Sequence, residues 1–263
     1  MSKTRIIAFA NNKGGSGKTT TVANVGCAMA KLGKKVLLID GDMQLNLTLS
    51  YFDEERALSF LESGKNIYTA LKSERDLGEY VTSTDYDGLD IIPSSSLMSG
   101  IEFELFPKWQ REFILKKCLS PTVARGYYDY ILIDAPPTLG CWVMNIMCAS
   151  DFVVIPVEAS PWGLFGLANM FDFIGQVKTI SPRLEVMGIA ITKADERKSY
   201  FKQTLDTLSD FDAARLFDTK IRVDSTIEWS QDNSQPVVAY KKYSRSSLEY
   251  VKLTKEIIEY ANR

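Results

Sequence analysis

Short runs of consecutive apolar residues alternate along this chain with stretches in which apolar residues recur every three or four positions. The short runs have the length of buried strands and lie at residues 6–10, 36–39, 89–92, 130–133, 152–157 and 186–191. The periodic stretches predict helices at residues 20–32, 97–119, 140–149, 164–180, 200–208 and 246–260. Strands that are apolar on both faces are typical of a parallel sheet covered on its two sides. The alternation predicts an α/β fold, with a doubly wound, mostly parallel sheet and helices on both faces.

The chain has 263 residues, enough for one such domain with a complete core. We see no linker, repeat or low-complexity segment, so we expect a single domain over residues 1–263. Residues 45–88 are less regular and predict an excursion from the core. No apolar run approaches the roughly 18 residues of a membrane span, and the start of the chain does not resemble a signal peptide. We therefore expect a cytoplasmic protein with no membrane partner.

The charged and reactive residues exclude some kinds of chemistry. A net charge of −2 provides no global positive field for nucleic acid, so DNA binding would depend on a local patch. The sequence contains no histidine, which excludes histidine acid–base catalysis and histidine metal ligation. The cysteines lack CxxC spacing and are predicted to be reduced core thiols. They are Cys27, Cys118, Cys141 and Cys148.

A glycine-rich segment between the first predicted strand and the first predicted helix indicates a phosphate site. It consists of Lys13, Gly14, Gly15, Ser16, Gly17, Lys18, Thr19 and Thr20. Its glycines allow backbone N–H groups to surround phosphate oxygens, and the helix N-terminus adds a partial positive charge. Lys18 is expected on the β- and γ-phosphates and Thr19 on Mg²⁺. Asn12 replaces the first glycine of the general pattern, and asparagine tolerates a left-handed backbone.

Carboxylates follow two of the predicted strands, at the edge of the sheet where α/β folds bind ligands. Asp40 and Asp42 follow the second strand, and Asp134 follows the fourth. Magnesium bound to phosphates needs only one or two protein carboxylates. We expect Asp134 to hold Mg²⁺ directly or through water, Asp40 to support the metal shell, and Asp42 to orient or activate the attacking water. Lys13 is an extra cation, either simply exposed near an anion or reaching the nucleotide of a partner subunit.

The motifs, in this order, resemble those of the deviant-Walker P-loop ATPases, and most of all the ParA/Soj partition ATPases. Supporting marks are residues 46–48, 191–195, Arg197, 236–238, Tyr240, 244–245 and 253–258. The sequence departs from the family pattern at Met43, at residues 221–223 and at residues 246–247. The resemblance implies a slow ATPase that uses Mg²⁺ and forms a homodimer around ATP. It also implies that Lys13 reaches the partner's nucleotide and that Lys13, Lys18 and Asp42 are the catalytic residues.

The resemblance further implies that the ATP dimer binds nonspecific DNA, lies on the nucleoid and is released by hydrolysis that a centromere-binding, ParB-like adaptor stimulates. The candidate DNA contacts are Arg197, Lys198, Lys241, Lys242 and Arg245. A second basic cluster is expected to be solvated helix surface or a partner site. It comprises Lys108, Arg111, Lys116, Lys117 and Arg125. We expect no N-terminal helix-turn-helix extension, and hence no operator-specific repression.

Four alternatives stay open at this point. A MinD-like, membrane-cycling ATPase would use a C-terminal amphipathic helix, although residues 256–263 favour core packing. An iron–sulfur carrier would need cysteines at a dimer face, for which Cys141 is the candidate. A scaffold that binds nucleotide without hydrolysis is disfavoured by Asp42. A GTPase is suggested weakly by residues 192–195, which read T-K-x-D where guanine-reading proteins have N-K-x-D.

Overall fold

The computed structural model describes residues 4–209 and 214–263, apart from the side chains of residues 161–165, 199 and 209. Seven strands in these ranges form one sheet. They are β1 (Arg5–Phe9), β2 (Val36–Asp40), β3 (Thr82–Ser83), β4 (Leu89–Ile92), β5 (Tyr130–Asp134), β6 (Phe152–Glu158) and β7 (Glu185–Thr192). The strand order is β3-β4-β2-β5-β1-β6-β7, and only β3 runs antiparallel to its neighbour. All six predicted strands are confirmed, and the two-residue β3 is too short to show a pattern.

Within the same described ranges the chain forms twelve α-helices. They are α1 (Lys18–Lys31), α2 (Asn46–Leu49), α3 (Glu54–Glu62), α4 (Ile67–Lys72), α5 (Ile101–Leu105), α6 (Ile114–Ala124), α7 (Cys141–Ala149), α8 (Pro161–Ile180), α9 (Ser199–Ser209), α10 (Ser225–Asp232), α11 (Val237–Tyr240) and α12 (Arg245–Ala261). The predictions for α1, α7, α8, α9 and α12 are confirmed, whereas the short α10 and α11 were not predicted. None of the helices described is both long and apolar enough to cross a membrane.

The prediction of one helix over residues 97–119 is wrong. Helix α5 ends at Leu105, and α6 begins only at Ile114 after a 3-10 turn. Pro107 lies between them and lacks the backbone N–H that the next helical hydrogen bond of α5 would need. The apolar periodicity of two separate helices was therefore read as that of one.

Alternate residues of each strand pack into two cores, one on each side of the sheet. In β1, Ile7 and Phe9 pack with α1 and α12, whereas Ala8 packs with α4 and with α6–α9. Helices on both faces are thus confirmed. The predicted excursion at residues 45–88 is wrong, because Leu47 and Ile67 are fully buried in the two cores.

Candidate nucleotide site

The glycine-rich loop joins the end of β1 to the start of α1, as the sequence predicts. Ala10 donates its backbone N–H to the carbonyl of Val154 at 3.1 Å, which ties the loop to β6. Gly17 precedes α1 with a left-handed backbone of φ 82°. Glycine adopts this conformation without the steric cost that other residues meet. The loop therefore turns directly into the N-terminus of a 14-residue helix, where unpaired N–H groups favour an anion.

The loop lines a cavity of about 800 Å³, which lies within the usual size range of ligand pockets, about 300–1,000 Å³. Its walls include residues 14–20 of the loop, Asp42 after β2, Lys193 after β7 and several members of the segment 221–232. Lys13, Asp40 and Asp134 are not among the lining residues. Lys13 precedes the lining residue Gly14 in the sequence. Asp40 and Asp134 are buried, close enough to Asp42 for their charges to interact.

Lys18 is buried, with 6% of its surface exposed. Its ammonium donates to the carbonyl of Lys13 at 3.1 Å. Burial lowers the pKa of Lys18, while the nearby charges of Asp134 and Asp42 oppose that shift. Because an ammonium carries three donors, this arrangement leaves donors for phosphate oxygens.

Asp134 is completely buried at the end of β5. The Thr19 hydroxyl is near enough to favour its charged form, but neither carboxylate oxygen has a hydrogen bond of good geometry to a described residue. Burial, reinforced by the neighbouring Asp40, raises the pKa of Asp134 well above its ordinary value. A buried carboxylate without a partner is costly, and a divalent cation would relieve that cost. Asp134 and Thr19 thus fit a magnesium ion that is completed by phosphate oxygens and water.

Asp40 is also completely buried, but its oxygens are already bonded. One accepts from the backbone N–H and the hydroxyl of Thr48 at 2.8 and 2.7 Å, and the other accepts from the N–H of Asp42 at 3.2 Å. Burial raises the pKa of Asp40 to about 6, although the bonds from Thr48 oppose the shift. Asp40 therefore holds α2 and the segment from Asp40 to Asp42 in place. Its predicted support of the metal shell stays a prediction, and these bonds make that support indirect.

Asp42 is 8% exposed and lines the cavity. Its carboxylate accepts from the N–H of Gln44 at 3.1 Å, and its carbonyl accepts from the Ser94 hydroxyl at 2.7 Å. Ser94 in turn donates its N–H to the Thr48 hydroxyl at 3.1 Å. These bonds fix the backbone that carries Asp42. Sequence reasoning did not identify Ser94, although its place just after β4 puts it at the ligand-binding edge.

Gly41 links two acidic segments through backbone contacts, the one that carries Asp40 and Asp42 and the one that carries Asp134. Its N–H donates to the carbonyl of Asp134 at 3.0 Å, and its carbonyl accepts from the indole N–H of Trp142 at 2.8 Å. A Cβ atom at this position would lie 2.6 Å from the Asp134 carbonyl oxygen, which is too close for any side chain. The spacing of the two motifs therefore requires glycine here.

Lys13 contacts the end of β6 in its own subunit. Its ammonium lies 3.2 Å from a carboxylate oxygen of Glu158 and 3.3 Å from the hydroxyl of Ser160. The side chains of Lys13 and Glu158 are 28% and 32% exposed. Neither Glu158 nor Ser160 was identified from the sequence, because the pairing depends on β1 and β6 being neighbours in the sheet.

The T-K-x-D segment does not present a guanine-reading pair. Thr192 donates its hydroxyl to the carbonyl of Ser16 at 2.8 Å. Asp195 accepts two bonds from the guanidinium of Arg197, at 2.9 and 3.0 Å, and these bonds lower the pKa of Asp195 to about 2. Asp195 does not line the cavity. This arrangement argues against the GTP alternative.

The candidate DNA contacts lie on neighbouring segments. Val223 donates its N–H to the carbonyl of Ala194 at 3.0 Å and accepts a bond from the guanidinium of Arg245. This places the region after β7 beside the start of α12. Lys241 and Lys242 are exposed, whereas Arg197 is bonded to Asp195.

The second basic cluster is largely neutralised by neighbouring carboxylates. Lys108 and Lys117 both pair with Glu74, at 2.9 and 2.6 Å. Arg125 pairs with Asp76, and Arg111 pairs with Glu112. These pairs favour its interpretation as solvated helix surface.

The cysteines give no support to an iron–sulfur site. Cys27, Cys118 and Cys148 are buried, and Cys141 is half-buried. Burial raises the pKa of all four thiols. Among residues 4–209 and 214–263, no group of three or more cysteine, histidine or acidic side chains could hold a metal ion by itself.

Comparison with known proteins matches residues 4–186 to a family model described as an AAA domain. The chain is 33% identical over 255 residues to the chromosome partitioning protein ParA of Caulobacter vibrioides, which covers 97% of this chain and 94% of that protein. It is also 33% identical over 254 residues to the sporulation initiation inhibitor protein Soj of Bacillus subtilis, with 96% and 98% covered.

Among solved structures, the fold matches cobyrinic acid a,c-diamide synthase from Mycobacterium smegmatis with bound ADP and magnesium. The TM-score is 0.83 at 26% identity, covering 98% of this chain and 96% of that one. The Mycobacterium smegmatis protein is thus less similar to this chain in sequence than the ParA and Soj relatives are.

Proposed function

This chain belongs to the ParA/Soj family of P-loop ATPases and hydrolyses ATP with Mg²⁺, and from that premise we propose that it is a dimerising switch for DNA partition. The observation that supports the nucleotide chemistry best is the buried, unpartnered carboxylate of Asp134 beside Lys18 and Thr19. Magnesium bound there would neutralise phosphate charge, which is its main contribution to phosphoryl transfer.

The chain's own residues have distinct tasks in this proposal. The loop N–H groups and Lys18 bind and orient the phosphates. Asp42, fixed by Ser94 and Gln44, orients the attacking water at the cavity wall. Phosphoryl transfer depends mostly on such positioning and on charge neutralisation. Hydrolysis is slow until a partner stimulates it, so the ATP state persists as a signal.

The ATP state is a homodimer in which Lys13 of each subunit contacts the nucleotide of the other. The proposal is supported by the position of Lys13, whose ammonium lies at the end of β6 and not over its own cavity. At the comparable arginine fingers, a cation supplied by a partner raises the rate of hydrolysis roughly 10³–10⁵-fold.

Nonspecific DNA is the proposed ligand of the dimer. The support comes from the exposed Lys241 and Lys242, which adjoin Arg245, and from the doubling of this patch by a two-fold axis. Phosphate contacts of this type weaken steeply as salt rises. A ParB-like, centromere-binding adaptor would stimulate hydrolysis and return the protein from the nucleoid to the cytoplasm as a monomer. One domain performs all of these steps.

The decisive experiment is sedimentation of the purified protein with ADP, ATP or a slowly hydrolysed analogue, each with and without nonspecific DNA. We expect a dimer, and DNA binding that weakens with salt, only in the ATP forms. Equal DNA binding by the apo, ADP and ATP forms would refute the switch. Flotation with liposomes in the ATP state would instead favour the MinD-like alternative, against which the burial of Leu253 and Ile257 of α12 already counts.

A further inference from the structure

Lys193 places a third ammonium beside the phosphate loop. It is the first residue after β7, and its nitrogen lies 3.9 Å from the point that a Cβ atom on Gly15 would occupy. The side chain lines the same cavity as Lys18 and Asp42. Its backbone has a φ of 49°, in the left-handed region that few residues other than glycine adopt. Such backbones persist where the surrounding structure fixes them, and they are enriched at ligand sites.

The residues on either side of Lys193 are anchored to two different walls of the cavity. Thr192 donates its hydroxyl to the carbonyl of Ser16 in the phosphate loop at 2.8 Å. Ala194 donates its N–H to the carbonyl of Ile221 at 2.9 Å, in the segment that forms the opposite wall. The backbone of Lys193 is thus held between the loop and that wall, so its side chain starts from a fixed point beside the loop.

The charge of Lys193 is free to act on a ligand. The other cations at the cavity already have acceptors, since Lys18 bonds to a carbonyl of the loop and Arg222 pairs with Glu249. In the part of the chain that the structure describes, Lys193 has neither an ion pair nor a hydrogen bond from its side chain. Its ammonium lies beside Gly15 of the loop that would hold phosphate.

We propose that Lys193 is a nucleotide-binding residue that neutralises phosphate charge from the side of the loop at Gly15. The inference rests on the nucleotide site proposed above and is independent of DNA binding, of the adaptor and of Lys13. The proposal adds a binding residue to that site, since the sequence pattern of the phosphate loop does not include Lys193, which follows β7. Asp195, bonded to Arg197, takes no part in it.

The test measures ADP binding to the full chain with Mg²⁺ by titration calorimetry at two salt concentrations. ADP is chosen because the proposed dimer requires ATP, so affinity is then separate from dimerisation. Lys193→Met removes the charge and keeps the length of the side chain. Lys193→Arg keeps the charge, and Lys202→Met is the matched control on the exposed face of α9.

We expect Lys193→Met to weaken ADP binding about five- to tenfold, as for the loss of one partly exposed charge contact, and to reduce the salt dependence. Lys193→Arg and Lys202→Met should bind like the wild type. Wild-type ADP affinity in Lys193→Met would overturn the proposal. An equal loss of affinity in Lys193→Arg would also overturn it, because ADP binding would then depend on the shape of the side chain and not on its charge. Lys193→Gln serves if the methionine variant does not fold. Failure of the wild type to bind ADP would instead refute the nucleotide site itself.

Discussion

The ammonium of Lys13 lies 3.2 Å from the carboxylate of Glu158 in the same subunit. Both side chains are about one-third exposed, and ion pairs of this kind contribute about 0–1 kcal/mol. A triphosphate carries more charge than one carboxylate, so it competes easily for the lysine. In the single subunit, Lys13 is therefore held weakly at the end of β6. The proposed contact with a nucleotide in a second subunit requires it to leave Glu158.

Replacing Lys13 by glutamine should abolish ATP-dependent dimerisation and leave ADP affinity nearly unchanged. The reason is that the proposed contact is made with the partner's nucleotide and not with the chain's own. Sedimentation with the slowly hydrolysed analogue measures the first effect, and calorimetry with ADP measures the second. A Lys13→Gln protein that still dimerises normally with ATP would refute the role of this residue.

Replacing Glu158 by glutamine should favour the dimer. The variant removes the negative charge that holds Lys13 in its own subunit but keeps a polar side chain of the same size. Because the pair is weak, we expect the dimer dissociation constant to fall only about two- to fivefold, consistent with less than about 1 kcal/mol. Ser160→Ala serves as the comparison, since it removes the uncharged contact at 3.3 Å. A weaker dimer in Glu158→Gln would show that the carboxylate itself contacts the partner.

Replacing Asp42 by asparagine should reduce hydrolysis by at least about 100-fold, the lower range for loss of a general base or its positioning equivalent. Asparagine can still accept from the N–H of Gln44, so the local backbone should hold. ATP binding should persist, and the ATP dimer should become long-lived. Phosphate release and sedimentation measure these effects, with Asp87→Asn, an exposed aspartate, as the control. Wild-type phosphate release would exclude Asp42 from the reaction.

Replacing Asp134 by asparagine should stabilise the protein in the absence of nucleotide and prevent hydrolysis. The change removes a buried charge that has no hydrogen bond of good geometry, and such a group costs about 1–3 kcal/mol. Thermal unfolding without nucleotide should show a higher Tm, and addition of ADP with Mg²⁺ should then raise the Tm less than it does in the wild type. An unchanged response to Mg²⁺ would argue against the metal role.

The gain in stability that we expect for Asp134→Asn should depend on pH. The folded-state pKa of Asp134 is raised, so the folded protein binds the proton more tightly than the unfolded chain does. Its contribution to the free energy of unfolding therefore falls as pH rises from near its ordinary value toward the raised one. The difference in stability between the variant and the wild type should thus be larger at pH 8 than at pH 5. A difference that is constant over this range would mean that the carboxyl does not titrate within it.

The sequence was sufficient for six of the seven strands and for the place of the glycine-rich loop between β1 and α1. Strands such as β2 and β5 are apolar at nearly every position, and their carboxyl ends carry Asp40 and Asp134. The break at Pro107 within a predicted helix was misread because apolar periodicity continues on both sides of it. A proline inside a periodic stretch is therefore a stronger indication of a helix end than the apolar periodicity around it is of a continuous helix.

Contacts between segments that are distant in the chain were not predictable. Glu158 contacts Lys13 across 145 residues, and Ser94 contacts Asp42 across 52. Both depend on the order of strands in the sheet, which no local pattern specifies. Lys193 likewise lies beside the loop at a point where Thr192 bonds to Ser16 across 176 residues.

At Gly41 the main chain itself connects Asp42, the residue proposed to orient the attacking water, to Asp134, the proposed metal ligand, with no room between them for a side chain. Two segments joined by so close a main-chain contact have little room to move independently. Movement of the end of β5 would therefore bear directly on the segment that carries Asp42. In the proposed switch, loss of the metal at Asp134 would thus be felt at Asp42 through the main chain alone, without a rearrangement of a distant helix.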